Sequence, residues 1–142
     1  MTKCFAAAVA ALIMLTGCVS EAVQTTVIVD EDANNQMALS MDLITAASPE
    51  LADAILNSAR GSWFENKAAY IAQYSDRLAA NHYQFFPGLP TPDEVEWPSL
   101  EDGDAVYLVA GNFVAGPRIL KVVPHTVASI TISSDDFVLS WK

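Results

Sequence analysis

Val27-Ile28-Val29-Asp30-Glu31-Asp32-Ala33-Asn34-Asn35-Gln36-Met37-Ala38-Leu39-Ser40-Met41-Asp42-Leu43 is the stretch from which the fold is read. Its first three residues are apolar and β-branched, as a strand prefers. The run stops at six polar or small residues, 30–35, where Asp and Asn cap their own backbone and tolerate left-handed conformations. Leu39, Met41 and Leu43 then alternate with Ser40 and Asp42. A period of two predicts a half-buried strand, apolar on one face and wet on the other. The two strands are expected to pair antiparallel across the acidic loop.

Towards the C-terminus the periodicity lengthens. Ser48-Pro49-Glu50 offers an N-cap hydroxyl, a proline at the first helical position and a carboxylate in the first turn. Leu51 and Ile55 follow at i and i+4, and Gly61 breaks this first helix. Ser62-Trp63-Phe64-Glu65 has the form of a capping box. Behind it Phe64, Ala68 and Ile71 form one apolar stripe, flanked by Trp63 and Tyr70. The second helix is expected to end near Tyr74 or to fray as far as Ala80.

Strand patterns return at residues 82–86 and stop at Pro87-Gly88. Residues 87–104 hold four of the seven prolines and six acids, namely Asp93, Glu94, Glu96, Glu101, Asp102 and Asp104. They read as a loop anchored by Trp97 and Leu100. The continuous apolar run 105–110 is that of a central strand covered on both faces. Gly116-Pro117 marks a turn before a strand at 119–123, which Pro124 ends. Ala128, Ile130 and Ile132 alternate in the next strand, and Phe137, Leu139 and Trp141 in the last, joined by the turn residues 133–136.

The sum is mainly β: a small antiparallel sandwich of about seven strands, with a two-helix insertion after the second. The alternative is an α+β layer with both helices on one face of a sheet.

Upstream, Lys3 precedes an apolar run of 11 residues, 5–15, which ends in Leu15-Thr16-Gly17-Cys18. At ~1.5 Å per residue the run spans roughly 17 Å, about half of a ~30 Å hydrocarbon core, so it is too short for a membrane-spanning helix. Small Gly17 before Cys18 fits a cleavage site. The arrangement resembles the lipobox of bacterial lipoproteins; the alternative is a plain secretory signal that contains a cysteine. The resemblance implies removal of residues 1–17 and acylation of Cys18. It also implies residues 18–25 as a tether and 26–142 as one periplasmic domain. Val19 stands where the family's inner-membrane retention signal has Asp, which implies the periplasmic face of an outer membrane.

Loss of Lys3 leaves six basic side chains against 17 acidic ones, a formal charge of −11. Such a surface repels nucleic acid and anionic lipid, so nucleic acid is excluded as a partner and membrane attachment must come from the lipid. With Cys4 removed and Cys18 acylated, the domain has no thiol for a disulfide or a zinc site.

Catalytic patterns are sparse. There is no G-x-S-x-G, no H-E-x-x-H and no glycine-rich phosphate loop. His82 and His125 have no His, Asp or Glu at ligand spacing, and Ser62 is explained as a cap. No enzymatic activity, cofactor or metal is therefore expected. Glu101-Asp102-Gly103-Asp104 offers three carboxylates around a glycine but lacks the spacing of an EF-hand. It motivates the alternative of a small ligand- or calcium-binding lipoprotein. Loops on a rigid sandwich commonly carry recognition, and Asp30, Asp32, Asn34 and Asn35 are the candidate partner-binding residues.

Taken in order, the elements resemble the outer-membrane lipoprotein subunit of type VI secretion membrane complexes. The counterparts are residues 27–29, 30–35, 39–43, 63–70, Pro87-Gly88 and 106–110. The helical insert is longer than in that family, and the hairpin ending in Phe137-Val138-Leu139-Ser140-Trp141 departs from its usual ending. The resemblance implies a transthyretin-like sandwich. It also implies an assembly role, in which an inter-strand loop docks the periplasmic domain of an inner-membrane partner.

Overall fold

The strand read from residues 39–43 extends over Leu39–Ala46 and is buried on both faces. This is β2, and its surroundings define the architecture. The computed structural model describes residues 23–90, 94–101, 103–124 and 126–142. The signal segment 1–17, residues 18–22 of the expected tether, Asp93, Asp102 and His125 lie outside the described residues. The tether does not reach residue 25 as expected, because β1 already begins at Gln24 and buries Thr25.

Among the described residues the order is β1 (Gln24–Val29), β2, α1 (Pro49–Ala59), α2 (Trp63–Tyr74), β3 (Leu78–Phe85), β4 (Glu94–Glu96), β5 (Val106–Phe113), β6 (Gly116–Val122), β7 (Val127–Ile132) and β8 (Phe137–Trp141). The strands form two four-stranded sheets, β4-β1-β7-β8 and β3-β2-β5-β6. The mainly-β sandwich stands, with one strand more than the expected seven. The addition is β4, three residues inside the proline-rich segment, too short to show a period.

Three expectations about the sheets are corrected. First, β1 and β2 do not pair; they lie in opposite sheets, and the connection crosses one end of the sandwich. Second, the sheets are not wholly antiparallel, because β1 and β7 run parallel, with Val27 opposite Ile130. Third, β2 is not half wet. Its odd residues Leu39, Met41 and Leu43 enter the core between the sheets, with Val27, Val109, Ile130 and Phe137. Its even residues Ile44 and Ala46 enter a second core against Leu51, Ile55, Ala59 and Trp63 of the helices. The two architectures read as alternatives therefore coexist: a sandwich with a helical layer on the outer face of one sheet.

Local chemistry explains the elements. Ser48 Oγ accepts from the Leu51 backbone N–H at 3.2 Å, with Pro49 opening α1 as expected. The Ser62 capping box is not made: no side-chain hydrogen bond caps α2. Of the apolar stripe, Phe64 and Ile71 pack half-buried against the helical core and Ala68 is exposed, while Trp63 beside it is the fully buried residue of α2. Gly116 and Pro117 are not a turn but the start of β6, where the missing N–H of Pro117 is tolerated on an edge strand. A register shift between Val127 and Ser129 turns Ala128 outward and Val127 inward.

The loop after β4 is pinned by Trp97 as expected, but Leu100, the other expected anchor, is only half-buried and lies outside both cores. Trp97 is buried, its Nε1 donates 3.0 Å to the Leu108 carbonyl, and its ring meets Tyr107 edge-on at 5.8 Å. Gly103, at φ +106°, lies so close to the end of β2 that a Cβ would collide with the Ala47 carbonyl.

Because both faces of β2 are covered, Leu43→Ala and Ile44→Ala are each expected to lower stability in urea by about 2–5 kcal/mol. A strand wet on the even side would instead leave Ile44→Ala within about 0.5 kcal/mol of wild type.

Candidate functional site

The connection from β1 to β2 is built around Asn34. Its backbone is left-handed (φ 46°, ψ 38°), and Asn35 and Gln36 continue at φ 53° and 65°. Few residues other than Gly adopt this conformation as readily as Asn. Three successive left-handed residues carry the chain over the sandwich end, across the ~10 Å that separates packed sheets. The Asn34 side chain is buried and spent internally. Its Nδ2 donates to the carbonyls of Met37 (3.2 Å) and Ala38 (2.9 Å), while its Oδ1 accepts from the Val114 N–H at 2.6 Å. The backbone N–H groups of Asp30 and Asn34 donate to the carbonyls of Ile132 and Ser133. One loop thus ties β7 of one sheet to the β5–β6 turn of the other.

Asp30, Glu31, Asp32 and Asn35 remain exposed on that loop. Of the four candidate partner-binding residues, three present their side chains to solvent and Asn34 does not. Around them the same end carries exposed apolar side chains, Met37 and Val114 at 59% and 61% and Phe86 and Leu89 at 44% and 61%. They belong to the segments before β2, after β3 and between β5 and β6. Sequence reading overlooked this grouping, because each residue is isolated in the chain and only the topology brings them to one end.

A second constellation was also missed. Asp42 is fully buried on the helix-facing side of β2, directly opposite His82 of β3. Its Oδ2 accepts from Trp63 Nε1 at 2.7 Å and lies 3.1 Å from Lys67 Nζ, while its Oδ1 lies 2.6 Å from His82 Nδ1. His82 therefore does have a carboxylate partner, contrary to the spacing argument. Forty residues separate the two, and only the β2–β3 register joins them. Desolvating a carboxylate is costly unless polar partners surround it; here Trp63 and Lys67 fasten α2 to the sheet, and His82 closes the group from β3. Among the described residues, no hydroxyl or thiol is hydrogen-bonded to this group.

The acidic loop borders an open cleft of about 800 Å³ lined by Ala47, Asp76, Arg77, Ser99, Leu100, Glu101 and Gly103. Glu101 and Asp104 are exposed, and among the described residues no three His, Cys, Asp or Glu side chains are grouped as a metal would require. Among those residues also, no helix is long and apolar enough to cross a membrane.

No protein-family model and no curated protein matches the sequence. The fold is similar to the crystal structure of the T6SS lipoprotein TssJ1 from Pseudomonas aeruginosa, with a TM-score of 0.55. The likeness covers 85% of this chain and 97% of that one at 11% identity. It is a likeness of fold, carried by the arrangement of strands and helices and not by shared side chains.

Asn34→Ala is expected to cost about 2 kcal/mol, since it strands the Val114 N–H and puts Ala in a left-handed site. Asp32→Ala, on the same loop but exposed, should stay within about 0.5 kcal/mol. Asp42→Ala should lower stability by about 2–4 kcal/mol and shift Trp63 fluorescence, because the indole N–H loses its buried acceptor. Urea titrations followed by tryptophan emission check all three.

Proposed function

We propose that this protein is a non-enzymatic, lipid-anchored subunit of a bacterial envelope complex, with a type VI secretion membrane complex as the assignment. The observation that carries the reading is the fold likeness to TssJ1, a T6SS lipoprotein, which spans nearly all of that chain. Leu15-Thr16-Gly17-Cys18 supports it independently from the sequence. In this reading Cys18 bears the acyl chains, Val19 directs the protein to the outer membrane, and the domain faces the periplasm. Two or three acyl chains anchor stably where a single one binds only marginally.

The end of the sandwich that carries residues 30–36 is the docking surface. Exposed Asp30, Glu31 and Asp32 flank the apolar side chains of Met37, Val114, Phe86 and Leu89. An apolar centre with an acidic rim matches a partner surface of the opposite arrangement, apolar with Lys and Arg around it. The partner in this reading is the periplasmic domain of an inner-membrane protein. Asn34 shapes the loop from behind and takes no part in contact. The buried Asp42 group holds α2 in place and contributes rigidity, not catalysis.

Cys18→Ser should abolish palmitate labelling and release the protein from the membrane fraction; continued labelling would contradict the anchor. Asp30→Ala, Asp32→Ala and Asn35→Gly together should remove an inner-membrane partner from a C-terminally tagged pulldown out of detergent-solubilised envelope. The glycine keeps the left-handed backbone that Asn35 adopts, so urea stability should be preserved. Unchanged co-purification would contradict the loop as the docking element.

A further inference from the structure

The opposite end of the sandwich carries a second exposed apolar group. Trp141 is 62% exposed and Val123 is 55% exposed. They are neighbours: Trp141 pairs with Val127, the Thr126 N–H donates to the Val123 carbonyl at 3.0 Å, and the Lys142 N–H donates to the Thr126 carbonyl at 2.9 Å. Phe137 and Leu139, on the same face of β8, turn into the core. Trp63 and Trp97 are both buried. Trp141 is thus the one indole of the three that lies in water.

This corner lies where the chain enters the domain. The Val23 carbonyl accepts from the Trp97 N–H, and β1 runs from Gln24 alongside β7, whose other neighbour is β8. Two interstrand steps of ~4.8 Å separate β1 from β8. Val23 is five residues beyond Cys18, so an acylated Cys18 holds this end within about 18 Å of the bilayer, the full stretch of five residues.

We infer that Trp141 and Val123, with Lys142 beside them, form a contact with the bilayer surface that orients the domain on its anchor; the inference rests on acylation of Cys18. Trp belongs at the membrane–water boundary, where its ring is buried among headgroups and its N–H stays wet. Lys142 is the matching cation at that level. Of the acids of this end, Asp76, Glu101 and Asp104 lie towards Ala47 and Arg77, by β2 and β3, at the side of the sheet away from β6; Glu96 stands opposite Gln24 on the edge strand β4, and Asp53 is paired with Lys121 of β6 at 2.9 Å. A domain tilted onto the β6–β8 corner brings the indole to the lipid and keeps Asp76, Glu101 and Asp104 off it, while Asp53, on the β6 side, has the Lys121 ammonium as its partner. The docking end then points away from the membrane.

Three tryptophans of which one is exposed make the test direct. The mature chain, beginning at acylated Cys18, is reconstituted into phosphatidylcholine vesicles with and without dibrominated acyl chains near the headgroups. Vesicle-bound protein should show a bromine-quenched component of emission that is lost in Trp141→Phe and reduced in Val123→Asp, with the emission of Trp63 and Trp97 unchanged. Vesicle-bound protein with identical emission in both lipids would overturn the contact while leaving the anchor intact. Shielding of Trp141 from aqueous acrylamide without bromine quenching would overturn it in favour of a second copy or a protein partner. Protein that stays in the supernatant would remove the anchor, and the contact with it.

Discussion

Strand β2 sends Leu39, Met41 and Leu43 into one core and Asp42, Ile44 and Ala46 into another. A strand covered on both faces needs a layer on each side, and the three-layer arrangement follows. The sheet of β1, β4, β7 and β8 closes one face, and α1 and α2 close the other. The single charge on this strand is the point of tension. Asp42 is tolerated because Trp63, Lys67 and His82 converge on it. These same contacts fix α2, so the cost of burying the carboxylate is offset by the order it imposes on the helical layer.

The two ends of the sandwich are consequently different surfaces. Strands of eight residues such as β2 separate them by about 26 Å at ~3.3 Å per residue. One end receives the chain beside Trp97 and exposes Trp141 and Val123. The other is closed by the Asn34 staple and exposes an acidic loop with Met37, Val114, Phe86 and Leu89 around it. In the proposed function these two ends would serve as the tethered end and the docking end of a bridging subunit. The polar cluster of this domain is turned inward and holds a helix.

Much of the fold was legible in the residues. The β-branched run at 27–29, the Ser48-Pro49 helix start, the apolar run of β5 and the turn at 133–136 are local signals, and the observed elements sit on them. Non-local pairing was not legible. Alternation at 39–43 reads as one wet face, because periodicity reports polarity and Asp42 is polar; that its carboxylate is buried depends on donors 21, 25 and 40 residues away. The same blindness hid the Asp42–His82 pair and placed β1 beside β2. A polar loop between two strands has the composition of a hairpin turn, and only three consecutive left-handed residues reveal it as a crossover. Of the candidate site, Asp30, Asp32 and Asn35 are exposed as a recognition loop requires. The role of Asn34 in fastening the sheets emerges only once Val114 is brought beside it.

Site-specific photocrosslinking in intact cells tests most directly whether the two ends do different work. A photoreactive residue is placed at Glu31 on the loop end, or at Thr126 beside Trp141 on the tether end. The account predicts that the Glu31 position yields a discrete adduct with an inner-membrane protein, while the Thr126 position yields none with that protein. Equal adducts from both positions, or an adduct with that protein from Thr126 alone, would contradict it.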